Sequence, residues 1–136
     1  MITGPAKGMG RAVTLAFAAE GARLVLAGRD LAAIEPVVAE LSELGCETLV
    51  VQCDMTRSEQ AENLAAEALG RFGQIDVLVN VAGGSGPIGK TGWETSQAEF
   101  DEIVQLNMTG CFNTMRAVMP SMVERCTGKI VNVGGT

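Results

Sequence analysis

Apolar residues come in short blocks separated by amphipathic stretches, and the two alternate along the chain. Met9, Val13, Ala16, Phe17 and Glu20 recur at helical spacing, which predicts a helix over 9–20 with one face for a sheet. Gly21 is its expected stop. Residues 23–27 form an apolar run ending in Gly28, the pattern of a strand buried on both faces. Asp30 is placed to cap a helix that reaches Leu44 and closes at Gly45, with an irregular start expected from Pro36. Residues 48–51 read as a third strand. Thr56 and Glu59 have capping-box spacing, which predicts a helix onward to Phe72. Residues 76–81 are a fourth strand and 82–89 a glycine-rich loop. Ser96 and Glu99 repeat the capping-box spacing before a long helix over 97–125. Phe100, Ile103, Val104, Cys111 and Val118 mark its expected inner stripe, and Pro120 an expected bend. Residues 129–133 are a fifth strand. Regular alternation of strand and helix predicts an α/β fold, a doubly wound parallel sheet with helices on both faces.

Composition narrows the class. A chain of 136 residues with 47% apolar and 19% charged residues is one domain with a real core and is not disordered. Its net charge of −6 argues against nucleic acid and anionic membranes as partners. No apolar run approaches the roughly 20 residues of a membrane helix. The first residues already belong to a glycine-rich motif rather than a secretory signal, so a cytoplasmic protein is expected. Cys46, Cys53, Cys111 and Cys126 show no C-x-x-C pairing and histidine is absent, which makes zinc and disulfide readings poor. Reduced thiols fit the same compartment.

Candidate chemistry starts at Thr3-Gly4-Pro5-Ala6-Lys7-Gly8-Met9-Gly10. Glycines at 4, 8 and 10 fall between a short apolar run and a helix. Glycine tolerates positive φ and close approach, and a helix N-terminus offers free N–H groups to a phosphate. The spacing is G-x-x-x-G-x-G, and a glycine-rich turn without a ligand is the alternative. In a doubly wound sheet, ligands bind beyond the C-terminal strand ends. Gly4 to Gly10, Gly28-Arg29, Asp54 and Asn80 to Gly83 all fall there, after four different strands. Asn107 shares the inner stripe of the long helix, where a buried amide must find partners.

These motifs together resemble the N-terminal part of the short-chain dehydrogenase/reductase family, over essentially all 136 residues. The family's T-G-x-x-x-G-x-G is met by Thr3, Gly4, Gly8 and Gly10. Its aspartate after the third strand is Asp54. Its N-N-A-G is Asn80-Val81-Ala82-Gly83 with one substitution, and its helix asparagine is Asn107. The resemblance implies an NAD(P)-dependent oxidoreductase moving a hydride between a nicotinamide and a small carbonyl or alcohol substrate. Gly4, Gly8, Met9 and Gly10 would cradle the pyrophosphate, and Asp54 would bind the adenine with the Met55 backbone beside it. Asn80, Ala82 and Gly83 would line the ribose of the nicotinamide half, and Asn107 would hold a water of the proton relay. Long helices pair between subunits in this family, so the complete protein is expected to be a homo-oligomer. Where the family carries an acidic residue at the end of the second strand, this chain has Gly28 followed by Arg29, and Lys7 is a second nearby cation. A basic site favours a 2′-phosphate, so NADP(H) is expected over NAD(H). The alternative is that Arg29 is solvated and Asp30 neutralises the site.

One departure qualifies the activity. The family uses a tyrosine as acid/base, a lysine four residues later and a serine after the fifth strand, whereas this chain has no tyrosine. Its lysines are Lys7, Lys90 and Lys129; Gly135 stands at the serine position, with the Thr136 hydroxyl one residue late. Residues 1–136 are therefore read as one Rossmann-type NAD(P)-binding unit, incomplete at both ends and inactive alone. A genuine short protein, a non-catalytic dinucleotide-binding or interaction module, is the alternative. An unpaired fifth strand would then be an exposed edge prone to pairing.

Overall fold

The computed structural model describes residues 1–134; the serine-position residue Gly135 and the Thr136 hydroxyl lie outside them. Five parallel strands, β1 (Ile2–Thr3), β2 (Leu24–Gly28), β3 (Thr48–Gln52), β4 (Val77–Asn80) and β5 (Lys129–Asn132), form one sheet in the order β3-β2-β1-β4-β5. The helices are α1 (Gly8–Ala19), α2 (Leu31–Glu43), α3 (Ser58–Phe72), α4 (Gln97–Val104) and α5 (Gly110–Glu124). The order turns back at β1: β2 and β3 extend the sheet to one side, β4 and β5 to the other. This is the doubly wound parallel fold the alternation predicts.

Each strand feeds two cores because successive side chains point to opposite faces. Leu24 and Leu26 pack with Ile2, Ile34, Val37, Leu41 and Val79 against α2 and α1. Val25 and Ala27 face Val51, Cys53, Leu64, Ala68, Leu78, Val118 and Met122, under α3 and α5. Asp30 caps α2 as expected, accepting from the Ala33 N–H at 3.2 Å.

Four local expectations are corrected. The helix at Thr56 begins only at Ser58, with Arg57 as N-cap and no side-chain cap bond. Thr56 instead gives both its N–H and its hydroxyl to the Asp54 carboxylate, and Glu59 pairs with Arg57. Helix α2 runs unbroken from Leu31 through Pro36. The long helix is interrupted not at Pro120, which sits inside α5, but by a π-turn over Gln105–Thr109, where the Gly110 N–H reaches back to the Gln105 carbonyl. The apolar faces are also rotated from the sequence reading. Phe100 and Met9 are more than half exposed, while α1 turns Gly10 and Thr14 inward. The Ser96–Glu99 capping box is present in both directions.

Candidate functional site

Two glycines set the geometry where β1 and β4 diverge. A Cβ on Gly10 would stand 1.8 Å from the Gly4 carbonyl oxygen, so the first turn of α1 rests directly on the strand end. A Cβ on Gly4 would meet the Ala82 nitrogen at 2.8 Å, and Gly4 and Gly8 hold φ of +68° and +53°. Thr3 ties the same crossing from beneath: its hydroxyl oxygen accepts from the Val81 and Ala82 N–H groups, each at 3.2 Å. Helix α1 therefore starts at the rim with nothing across its end. Its first intrahelical bond runs from the Arg11 N–H to the Lys7 carbonyl at 3.2 Å, and no side chain caps the turn before it. The amides of Gly8, Met9 and Gly10 are left as donors.

A cleft of 350 Å³ opens beside this turn. Gly4, Lys7, Arg29, Asp54, Met55, Asn80, Ala82 and Gly83 line it, together with Thr3, Gly28, Asp30, Ile34, Leu106 and Cys111. Four chain segments named from the sequence thus meet at one cavity. A second cavity, of 150 Å³, lies at the other strand ends around Leu24, Phe72 and Val77, away from the glycine turn. Among the described residues, Lys7 and Arg29 take part in no ion pair. Arg29 is exposed, as in the alternative reading, and Asp30, the neutraliser of that alternative, spends one oxygen as the cap of α2. The Arg29 carbonyl is held by the Gln52 amide at 2.9 Å, which fixes the backbone there.

The floor of the cleft is polar but satisfied. Asn80, 2% exposed, donates to the Asn132 side-chain oxygen at 2.8 Å and accepts from the Thr114 hydroxyl at 2.7 Å, joining β4, β5 and α5. Asp54 accepts two hydrogen bonds from Thr56 on one oxygen. The Thr56 hydroxyl, with help from the Thr56 N–H and the Arg29 and Arg57 charges, holds its carboxyl below the usual aspartate value. Burial, then the adjacent Asp54 charge, pushes the Cys53 thiol up to about 11, so it is an inert part of the core. Asn107 lies behind the cleft wall. Its side-chain oxygen accepts from the Gly84 N–H at 3.1 Å, and its amide donates to the Gly84 carbonyl at 2.8 Å and the Ile103 carbonyl at 3.0 Å. It latches the glycine-rich loop to the π-turn. Trp93, in the segment between β4 and α4, is 87% exposed and does not line the cleft.

Sequence reasoning misses the residues that support this wall. Thr114 and Asn132 look like ordinary helix and strand positions, and Asn113, 7% exposed on α5, gives no pattern signal although its amide bonds the Met55 carbonyl at 2.9 Å. A polar pair in an otherwise apolar stripe, Asn113-Thr114, is the signal available.

The cleft and the turn beside it fit a phosphate-bearing dinucleotide on their own terms: uncapped helix amides in the turn, glycines where a Cβ has no room, two cations with no ion-pair partner among the described residues, and a hydrogen-bonded carboxylate. The family model described as short chain dehydrogenase matches residues 1–136. A 7alpha-hydroxysteroid dehydrogenase of Escherichia coli (strain K12) is 32% identical over 133 residues, covering 98% of this chain and 51% of that protein. Actinorhodin polyketide ketoreductase, solved with NADPH, superimposes with a TM-score of 0.92 at 32% identity, covering 98% of this chain and 51% of that one. A metagenomic short-chain oxidoreductase in complex with NADP gives a TM-score of 0.89 at 32% identity, over 95% and 58% of the two chains. The chain spans about half the length of the curated relatives it matches.

Proposed function

The chain belongs to the short-chain dehydrogenase/reductase family, and from that premise we propose that residues 1–136 are the cofactor-binding unit of a cytoplasmic, NADP(H)-preferring oxidoreductase acting on a small carbonyl or alcohol substrate. The observation that carries this is the meeting of Gly4–Lys7 of the glycine turn, Arg29, Asp54, Asn80, Ala82 and Gly83 at one cleft, whose lining does not include Gly8, Met9 and Gly10. When bound, the nicotinamide gives or takes the hydride. The chain's own residues do the holding. Backbone amides of Gly8, Met9 and Gly10 meet the pyrophosphate with the positive end of α1 behind them. Asp54 accepts from the adenine amino group beside the Met55 backbone, and Ala82 and Gly83 bring backbone close to the ribose of the nicotinamide half. Asn107 keeps Gly83 and Gly84 in place, and a Cβ on Gly83 would strike its oxygen at 2.4 Å. It thereby acts on the loop beside the site, and its inherited relay role is read as secondary to that latch.

The preference for NADP(H) rests on Arg29 and Lys7, which line the cleft together with Gly28, the strand-end position at which an acid would repel a 2′-phosphate. NADPH is expected to bind at least tenfold tighter than NADH by fluorescence titration. Arg29→Ala should cost NADPH about ten- to a hundredfold, the range of a lost charge-assisted contact, and leave NADH within threefold. Tighter NADH binding by the unaltered chain rejects the preference. Because the chain contains no tyrosine, it holds the cofactor without the phenol the family uses for proton transfer. The 136-residue chain is therefore expected to bind NADPH and to turn over no carbonyl substrate.

A further inference from the structure

We propose that Asn113 is the positioning residue of the adenine end of the cleft, setting the Asp54 carboxylate from helix α5 through the Met55–Thr56 peptide unit. The inference rests on the reading of the cleft as a dinucleotide site. One peptide unit is gripped at both ends. The Asn113 amide donates to its carbonyl, that of Met55, at 2.9 Å, and its N–H, that of Thr56, donates to Asp54 Oδ1 at 3.0 Å. The Thr56 hydroxyl reaches the same oxygen at 2.7 Å, and the Gln60 side-chain oxygen takes the Asp54 N–H at 2.7 Å. Both bonds to the carboxylate fall on Oδ1. Oδ2 remains the acceptor for a ligand's amino group.

The arrangement needs α5 to come close, and Gly110 permits it. A Cβ there would already stand 3.4 Å from the Met55 Cβ. Gly110 and Asn113 are three residues apart, on one face of the helix. Met55 and Asn113 are both buried, so water does not replace the amide when it is lost. The Met55 carbonyl would be left unpaired, the peptide unit free to rotate and the carboxylate without its aligned backbone donor. Asn113 does not itself line the cleft and reaches it only through its bond to the Met55 carbonyl.

The test uses the 136-residue chain and adenosine 2′,5′-bisphosphate as probe, by calorimetry, with the Asp54 carboxyl carbon followed by NMR against pH. Asn113→Ala and the similarly shaped Asn113→Leu are compared with Val118→Ala, which opens a cavity elsewhere on α5. Both Asn113 variants should bind the probe about tenfold or more weakly, and Asp54 should titrate closer to its ordinary value than in the unaltered chain. Val118→Ala should lower Tm and change neither readout. Probe binding within twofold of the unaltered chain in both Asn113 variants overturns the proposal, as does an equal loss in Val118→Ala. An unaltered chain that binds no probe overturns the dinucleotide reading and takes this proposal with it; intact binding in the variants removes the proposal alone.

Discussion

At the scale of single residues, the site is a steric arrangement before it is a chemical one. Gly10 lies against the Gly4 carbonyl so closely that a methyl group has nowhere to go: the obstacle is backbone, and helix and strand end must separate to admit it. Gly10→Ala should therefore destabilise the chain by about 1–3 kcal/mol or more. It should also remove measurable NADPH binding, because the amides of the first turn swing away from the rim. Urea melts and fluorescence titration check the two halves. A Gly10→Ala chain with unchanged midpoint and affinity would show that the turn is not held as described. Gly8 lacks that contact and has only its φ of +53°, so Gly8→Ala should cost less stability. Gly4 and Gly10 were legible in the sequence because backbone proximity excludes a side chain there, and Gly8 because of its positive φ, which together leave a fixed spacing. Asn113 and Thr114 were not, because a buried hydrogen bond is specified by what lies across the interior, and Met55 and Asn80 are 58 and 34 residues away.

At the scale of elements, local competition decides what spacing alone does not. Two segments share the capping-box pattern. Ser96 and Glu99 form the box, with the Glu99 N–H to the Ser96 oxygen at 3.3 Å and the Ser96 N–H to the Glu99 carboxylate at 2.8 Å. Thr56 and Glu59 do not, because Asp54 two residues earlier captures the threonine's hydroxyl and N–H and displaces the helix start to Ser58. The π-turn was illegible for a similar reason: apolar periodicity changes little when one turn widens, and Pro120 drew the expected bend away from Gly110, which closes the turn. The real cap carries a pH prediction. The Lys90 ammonium first, then the Ser96 N–H and hydroxyl, hold the Glu99 carboxyl down to about 2, against an ordinary value of 4.5. A carboxyl lowered in the fold lends its support above the unfolded value and loses it as pH falls through the folded one. The first turn of α4 should stay ordered at pH 5 and loosen between about 4.5 and 2, seen as growing hydrogen exchange at Glu99 and Phe100. Ser96→Ala should cost about 1 kcal/mol at neutral pH. Exchange that is flat across that window would mean that the cap holds without the charge.

At the scale of the whole molecule, the charge pattern and the apolar surface point in different directions. A net charge of −6 favours dispersion, and among the described residues no helix is long and apolar enough to cross a membrane. Yet Phe100, Met108, Phe112, Met119 and Val123 are all between 46% and 68% exposed, at separations of 8, 4, 7 and 4 residues along α4, the π-turn and α5. That is one continuous face of a helix, apolar on the outside as well as the inside. Single exposed apolar residues are ordinary; a stripe along the longest helical segment is a surface suited to another subunit. It is the candidate surface for the helix pairing that the family resemblance leads one to expect of the complete protein. The second route to association is the outer edge of β5. The Lys129 and Val133 N–H groups bond β4, so Ile130 and Asn132 turn their backbone groups outward. The two routes separate by substitution. Phe112→Lys with Met119→Lys places like charges face to face across a helix pair and leaves the edge intact. Ile130→Pro removes an outward donor and leaves the helix intact. Light scattering at micromolar concentration should show a dimer for the unaltered chain and for Ile130→Pro, and a monomer for the double lysine variant. Because the stripe lies outside the cleft, NADPH affinity should stay within twofold in all three. Association broken by Ile130→Pro alone would assign the contact to the strand edge, and a monomeric unaltered chain would reject helix pairing for these residues.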